Sequence, residues 1–328
     1  MRSKILELLH RQGKNCISGE EIARQLGVTR SAVWKHITEL REAGYNIISQ
    51  PKSGYSLVET PDKLLAAEIA RNLATKVIGN NIIALDEVDS TNNEAKRLAA
   101  KGAPEGTIVV AERQTGGKGR LERHFFSPAG KGIWFSVILR PKFLPQEAPK
   151  CTLMAAVAVA EAMTKFNLKP AIKWPNDLLY ENKKLVGILT EMSAEMDGIN
   201  YVVIGTGINV NINPDDFPAD IRETAASLSM MKGEKVPRVE FFQEVLRAFD
   251  RNYQSIREGD FSEVFKKWRQ YSITLGQEVK VIGVRGENSG EVFYGKAMDI
   301  DSDGALIVAT ATGQRRVLAG DVSIRPGI

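Results

Sequence analysis

The chain has 328 residues, 43% of them hydrophobic and 26% charged, and 44 Lys or Arg against 40 Asp or Glu leave a net charge of only +4. That length exceeds one ordinary domain of about 100–150 residues, so two or three are expected, and the near-balance of charge argues against a nucleic-acid coat protein. Cys16 and Cys151 stand far apart with no neighbouring His or Cys, which excludes a zinc cluster or disulfide framework, and the longest apolar run, near Met154 to Ala160, falls short of the roughly 20 residues of a membrane span, so a cytoplasmic protein without a membrane partner is expected.

The charge is unevenly placed: residues 1–60 hold nine Lys or Arg and six Asp or Glu, so +3 of the +4 lies there. Ile5, Leu8 and Leu9 at helical spacing predict a first helix over 2–12, stopped by Gly13. Ser18-Gly19-Glu20-Glu21 reads as a capping box ahead of Ile22 and Leu26, with Gly27 as the stop. Thr29 caps a third helix whose apolar stripe is Val33, Ile37 and Leu40, while Arg30, Ser31, Trp34, Lys35 and Thr38 lie on other faces. Tyr45 to Ser49 and Tyr55 to Val58, joined through Pro51-Lys52-Ser53-Gly54, form a hairpin. Three short helices, a basic third one and a hairpin predict a winged helix-turn-helix over 1–60, with the third helix in the major groove; the DNA-facing candidates are Ser18, Thr29, Arg30, Ser31, Trp34, Lys35 and His36.

Glu59-Thr60-Pro61-Asp62 breaks the pattern and leads into a larger domain over 64–270. Helices are expected at 64–73, 91–101, 149–166 and 238–257, and strands at 107–112, 132–139, 184–193 and 200–208. The last two strands meet at Asp197-Gly198, which favours a mixed, largely antiparallel sheet. Over 274–328, β-type runs at 278–284, 290–300, 304–309 and 314–318 suggest a small barrel. The fold class is α+β.

Three segments carry chemistry. Gln114-Thr115-Gly116-Gly117-Lys118-Gly119-Arg120-Leu121-Glu122-Arg123 sets cations among glycines that let the backbone approach a carboxylate or phosphate, and Phe125-Phe126-Ser127-Pro128 after it forbids the helix of a Walker loop. Ile172-Lys173-Trp174-Pro175-Asn176-Asp177 is a polar turn facing Lys183-Lys184-Leu185-Val186-Gly187. Asp89-Ser90-Thr91-Asn92 joins a strand to a helix, whose free amides and hydroxyls suit a small polar ligand. Two other segments are decoys. Tyr201 to Gly207 starts like a dinucleotide fingerprint, but Asn209 to Pro214 cannot begin its helix. Asp299 to Gly304 mimics a calcium loop with Thr310 where the bidentate Glu belongs, and reads as a hairpin turn. His10, His36 and His124 are the only histidines, so neither a Ser-His-Asp arrangement nor a multi-histidine metal site is available.

In their order, the three segments resemble the biotin protein ligase family across essentially the whole chain, and with the N-terminal unit the bifunctional ligases that also repress the biotin operon. The resemblance implies a biotin/lipoate ligase-like catalytic domain and an SH3-like C-terminal barrel. It implies that Ser90, Thr91, Asn92, Gln114, Lys184 and Gly187 line the biotin pocket, and that Gly117, Lys118, Gly119 and Arg120 close over biotinyl-5'-AMP. Arg120, Lys184 and Asp177 would be the catalytic set, and Arg123, Phe125, Asn176, Asn209 and Arg325 would hold the nucleotide. The implied ligands are biotin, ATP and Mg²⁺, with no protein-built metal cluster, and the implied partners are the biotin carboxyl carrier protein of acetyl-CoA carboxylase, operator DNA and a second copy of the chain once biotinyl-5'-AMP, the corepressor, is bound. Where relatives carry Gly-Arg-Gly-Arg-Arg-Gly-Arg, this chain has Lys118 for the first arginine and Glu122 for the last glycine, so charge survives at 118 but bidentate geometry does not; Phe125 stands for an adenine-stacking Trp. Two alternatives remain: a biotin-sensing repressor without catalysis, and a lipoyl protein ligase.

Overall fold

A computed structural model describes residues 1–13, 15–195, 198–257, 259–283, 290–319 and 322–326, with the side chains of 122 and 322–326 left aside. The chain divides into Met1–Lys63 and Leu64–Ile328.

The first unit holds α1 (Arg2–Gln12), α2 (Gly19–Leu26), α3 (Arg30–Glu42), β1 (Asn46–Gln50) and β2 (Gly54–Glu59), as the sequence predicts. Ile5, Leu9, Ile22, Val33 and Ile37 are buried and supply its core. Ser18 and Thr29 cap α2 and α3 by accepting from the amides of Glu21 and Ala32. The expected capping box is only half formed, because the Glu21 carboxylate turns forward to Arg24 and Gln25 rather than back to the cap. Ile17 bridges to Tyr55 beside the hairpin. Gly54 is obligatory there, with φ +106 and a would-be Cβ 2.2 Å from the Ile17 carbonyl oxygen.

The second unit begins with α4 (Ala66–Ala70), β3 (Asn81–Val88), α5 (Thr91–Ala100), β4 (Thr107–Gln114), β5 (Gly132–Leu139) and α6 (Ala148–Lys165). It continues through β6 (Ile172–Lys173), β7 (Asp177–Tyr180), β8 (Lys183–Glu195), β9 (Gly198–Asn209), α7 (Leu228–Lys232), α8 (Arg238–Arg257) and α9 (Ser262–Tyr271). Strands β3 to β9 make one sheet in the order β3-β4-β5-β9-β8-β7-β6. Among the described residues β3 and β4 are the one pair of these strands that runs parallel, with α5 as their crossover, so the sheet is mixed and largely antiparallel, as expected.

Strand alternation gives the sheet two different faces. Ile108, Val110, Phe135, Val137 and Ile204 point to the main core under the alanine-rich α6 and the aromatic α8. Val109, Ile138 and Val203 point the other way, to Ala95 and Ala99 of α5. Helix α5 is short and covers only part of that face, and the site occupies the remainder. Helix α4 is shorter than the expected 64–73 because the buried Gln243 side chain of α8 takes the carbonyls of Glu68, Ile69 and Arg71, and a tertiary contact thus replaces the next helical turn. Helices α7 and α9 were not among the expected elements.

The C-terminal strands β10 (Glu278–Gly283), β11 (Val292–Ile300), β12 (Leu306–Thr310), β13 (Gly313–Val317) and β14 (Val322–Pro326) form a five-stranded antiparallel sheet in the order β13-β12-β11-β10-β14. Asp301 turns the β11–β12 hairpin by accepting from the amides of Asp303 and Ala305, which is the turn expected at the calcium-like motif. Among the described residues no helix is long and apolar enough to cross a membrane.

Candidate active site

The site is built on two cross-strand rows of the open sheet face. In the first row Trp134 lies opposite Gly207, Gly207 opposite Gly187, and Gly187 opposite Asp177, one residue from each of β5, β9, β8 and β7. The Phe125 ring lies on the two glycines: a Cβ on Gly187 or Gly207 would come within 2.8 or 2.5 Å of it. Phe125 also meets Trp134 edge-on, with ring centroids 5.9 Å apart. In the second row Ser136 lies opposite Gly205 and Gly205 opposite Leu189. Asn92, from the first turn of α5, fills the space above Gly205, where a Cβ would stand 1.9 Å from its Oδ1.

Two adjoining cavities result, sharing Gly119, Arg120, Phe125, Asn176 and Lys184. The narrower one is walled by Ser90, Thr91, Asn92, Gln114, Lys118 and Gly187. Its polar groups are interlinked. Gln114 Oε1 accepts from the Thr91 amide at 2.8 Å, Gln114 Nε2 donates to Ser127 Oγ at 2.9 Å, and Ser127 donates to the Phe125 carbonyl. Gly117 is wedged against that carbonyl, leaving no room for a side chain. Lys118 donates to Asn93 at 3.0 Å and does not reach inward in this conformation.

The larger cavity, of about 260 Å³, is lined by Arg120, Arg123, Phe125, Asn176, Asp177, Lys184 and Asn209. Arg120 donates to Asn176 Oδ1 at 3.2 Å and to the Ala319 carbonyl. Asn176 is held from behind by its Nδ2 donating to the Ile188 carbonyl at 2.9 Å. Asn209 Nδ2 donates to the carbonyls of Lys184 and Ala226, so its amide oxygen is the group left to face the cavity. Lys184 Nζ stands 2.7 Å from Asp177 Oδ1 in a contact that lacks hydrogen-bond geometry, and 5.8 Å from the centre of the Phe125 ring. The turn carrying Asn176 and Asp177 has a cis Trp174–Pro175 peptide, and Trp174 is anchored by Thr274 Oγ1 and the Gly304 carbonyl.

The structure thus brings every site candidate from residues 90 to 209 to the walls of these two cavities except Gly117, which lies beside them against the Phe125 carbonyl. The Arg325 side chain lies outside the described residues; its backbone pairs with Lys280. Sequence reasoning missed Gly205 and Gly207 as a floor, although glycines inside a strand signal close approach of another group; they were read only against a dinucleotide fingerprint. It also missed Ile221, Thr224 and Ala225, which wall the larger cavity from an irregular segment without periodic signal. Among the described residues no cluster of three or more His, Cys, Asp or Glu is arranged to hold a metal.

On α3, Arg30, Ser31, Trp34 and Lys35 are exposed along one side, with Trp34 61% accessible. His36 departs from that face: at about 100° per residue it lies on roughly the opposite side from Trp34, and its ring is bound to Glu39 at 3.0 Å.

Three family models match in chain order: an HTH domain at residues 2–56, the biotin/lipoate A/B protein ligase family at 84–209, and the biotin protein ligase C terminal domain at 274–325. The chain is 41% identical over 325 residues to the bifunctional ligase/repressor BirA of Bacillus subtilis, covering 99% of this chain and 98% of that one. It is 28% identical over 313 residues to the Escherichia coli protein of the same description, covering 94% and 92%. Among solved structures, the biotin protein ligase from Aquifex aeolicus in complex with biotin and ATP aligns with a TM-score of 0.65 at 32% identity, over 76% of this chain and all of that one. The chain belongs to the biotin protein ligase family, in its bifunctional ligase/repressor branch.

Proposed function

We propose that this chain activates biotin with ATP to biotinyl-5'-AMP, transfers the biotinyl group to a lysine of a biotin carboxyl carrier domain, and represses biotin genes through residues 1–60. The observation that carries the enzymatic reading is the junction of the two cavities, which Arg120 and Lys184 both line. Biotin's carboxylate must attack the α-phosphorus of ATP while pyrophosphate leaves, and two anions approach only if cations neutralise both. A vitamin in the narrower cavity and a nucleotide in the larger one would present these atoms to both cations.

In this reading Ser90, Thr91, Asn92, Gln114 and Gly187 bind biotin, Gly117 to Arg120 cover the intermediate, and Phe125, Arg123, Asn176 and Asn209 hold the adenylate, with Arg325 as a further nucleotide ligand. The amide oxygens of Asn176 and Asn209 fit a hydrated Mg²⁺ carried in on ATP phosphates, and the ion would supply further neutralisation of phosphate charge. Asp177 orients the carrier lysine in the second step: the amine attacks the acyl carbon, the acyl-phosphate bond breaks and AMP departs. Lys184 must release Asp177 beforehand, and an arriving phosphate gives it the competing anion. Excluding water matters because the mixed anhydride hydrolyses readily.

Catalysis belongs to residues 64–270, supported by the domain at 274–328, and the adenylate, by ordering the 114–123 loop, favours a homodimer that engages two operator half-sites. The exposed side of α3, Arg30, Ser31, Trp34 and Lys35, is the surface offered to the groove, with Ser18 and Thr29 at the helix starts; His36, bound to Glu39 on the other side of the same helix, stands outside that surface. The cytoplasm is where its carrier and operator would be met. Biotin-dependent exchange of labelled pyrophosphate into ATP tests the first step. Exchange with biotin and not with lipoate is the expected result; exchange with neither leaves a sensory repressor, and exchange with lipoate alone makes it a lipoyl ligase.

A further inference from the structure

We propose that Glu191, ionised against Lys96, is a positioning residue that sets the hydrogen-bonding polarity of the narrower cavity through Asn92, tuning it for a ligand with N–H donors. The inference rests on the ligase reading above.

Glu191 lies on β8 and faces α5. Its carboxylate accepts from Lys96 Nζ at 2.6 Å and from Asn92 Nδ2 at 2.8 Å. Burial pushes this carboxyl up, but the hydrogen bonds from Lys96 and Asn92 outweigh it and hold it below the usual range. An ionised carboxylate only accepts, and so does the Leu189 carbonyl that also takes Asn92 Nδ2, at 3.3 Å. Both protons of the Asn92 amide are therefore committed, and its oxygen must face the other way. There Oδ1 takes the Ser136 hydroxyl proton at 2.6 Å.

The consequence passes down the wall. Ser136 has one proton, shared between Asn92 Oδ1 at 2.6 Å and Thr91 Oγ1 at 2.9 Å, so both of these oxygens stand as acceptors toward it. Thr91 Oγ1 donates its own proton to Gln114 Oε1 at 3.1 Å. What remains toward the cavity are lone pairs, on Asn92 Oδ1 above Gly205 and on Thr91 Oγ1. A wall of acceptors suits the two ureido N–H groups of biotin and offers nothing to the dithiolane of lipoate. If Glu191 were a neutral amide it could donate as well as accept, Asn92 could turn over, and the wall would lose its fixed sense.

The test is pyrophosphate exchange by the full chain with three variants, Glu191→Gln, Lys96→Met and Lys96→Arg, each checked for melting temperature. For Glu191→Gln and Lys96→Met the KM for biotin is expected to rise about tenfold, in line with loss of a charge-assisted hydrogen bond, while the KM for ATP and the maximal rate change less than about twofold. Lys96→Arg keeps the ion pair and should stay near wild type. Biotin methylated on a ureido nitrogen, a poor ligand for the wild type, should lose most of that disadvantage in Glu191→Gln. An unchanged KM for biotin in both disruptive variants overturns the inference. So does a uniform loss of rate and of both affinities with a fallen melting temperature, which marks a structural role. Absence of biotin-dependent exchange in the wild type itself overturns the ligase reading and this inference with it.

Discussion

Arg120 joins the glycine segment to Asn176 and to the Ala319 carbonyl, so one side chain holds that segment closed where it lines both cavities. Arg120→Gly should loosen that closure and let biotinyl-5'-AMP escape, so that bystander lysines as well as the carrier become labelled; blotting a mixture of carrier and unrelated protein for biotin checks this, and label confined to the carrier would show that Arg120 does not retain the intermediate. A second residue is purely structural. The Arg238 guanidinium is fully buried, 3.0 Å from Glu112 and 3.0 Å from the Gly132 carbonyl, while Glu112 also accepts from the Leu64 amide. Glu112→Ala removes a carboxylate from that buried guanidinium and should cost about 3–5 kcal/mol in chemical denaturation. A loss below about 1 kcal/mol, the range of surface pairs, would mean that water reaches Arg238.

At the scale of elements, the two rows across β5, β9 and β8 decide what fits. Gly205→Ala puts a methyl group against Asn92 Oδ1, and overpacking of about 1–3 kcal/mol should appear as a KM for biotin raised by roughly tenfold or more; unchanged binding with unchanged stability would show that Asn92 can move aside freely. These rows also mark where sequence reading stopped. Helix caps at Ser18 and Thr29, the alanine-rich α6 and the β8–β9 hairpin were legible because their signals are local or periodic. The end of α4 was not, because Gln243, far along the chain, takes its last carbonyls. The clustering of Arg120, Asn176 and Lys184 came from a recognised order of motifs, since nothing local in 114–123 says that 172–187 will face it. Gly205 and Gly207 were visible as residues, and their purpose became clear only when Asn92 and Phe125 were placed above them.

For the whole molecule, acid stability follows from carboxylates held below their ordinary range. Hydrogen bonding from Arg97 does this for Asp89, and Lys96 with Asn92 overcomes burial for Glu191. A depressed folded-state value contributes stability that is complete above the unfolded value of about 4 and is lost as pH falls through the folded one. Melting temperature should therefore stay level from neutrality to about pH 5 and decline below it; a maximum near pH 4 would contradict this. The division at residue 63 carries a separate prediction. A chain of residues 62–328 should still biotinylate carrier at near the full-length rate but fail to shift operator DNA, and retained operator binding would remove the N-terminal unit from the repressor role.

Ligation itself is tested by incubating the full chain with ATP, biotin and a biotin carboxyl carrier domain, with lipoate in a parallel reaction, and weighing the carrier by mass spectrometry. A gain of one biotinyl group on a single lysine, dependent on ATP and abolished by Lys184→Ala, is the predicted result. An unmodified carrier, or a lipoyl group in its place, would contradict it.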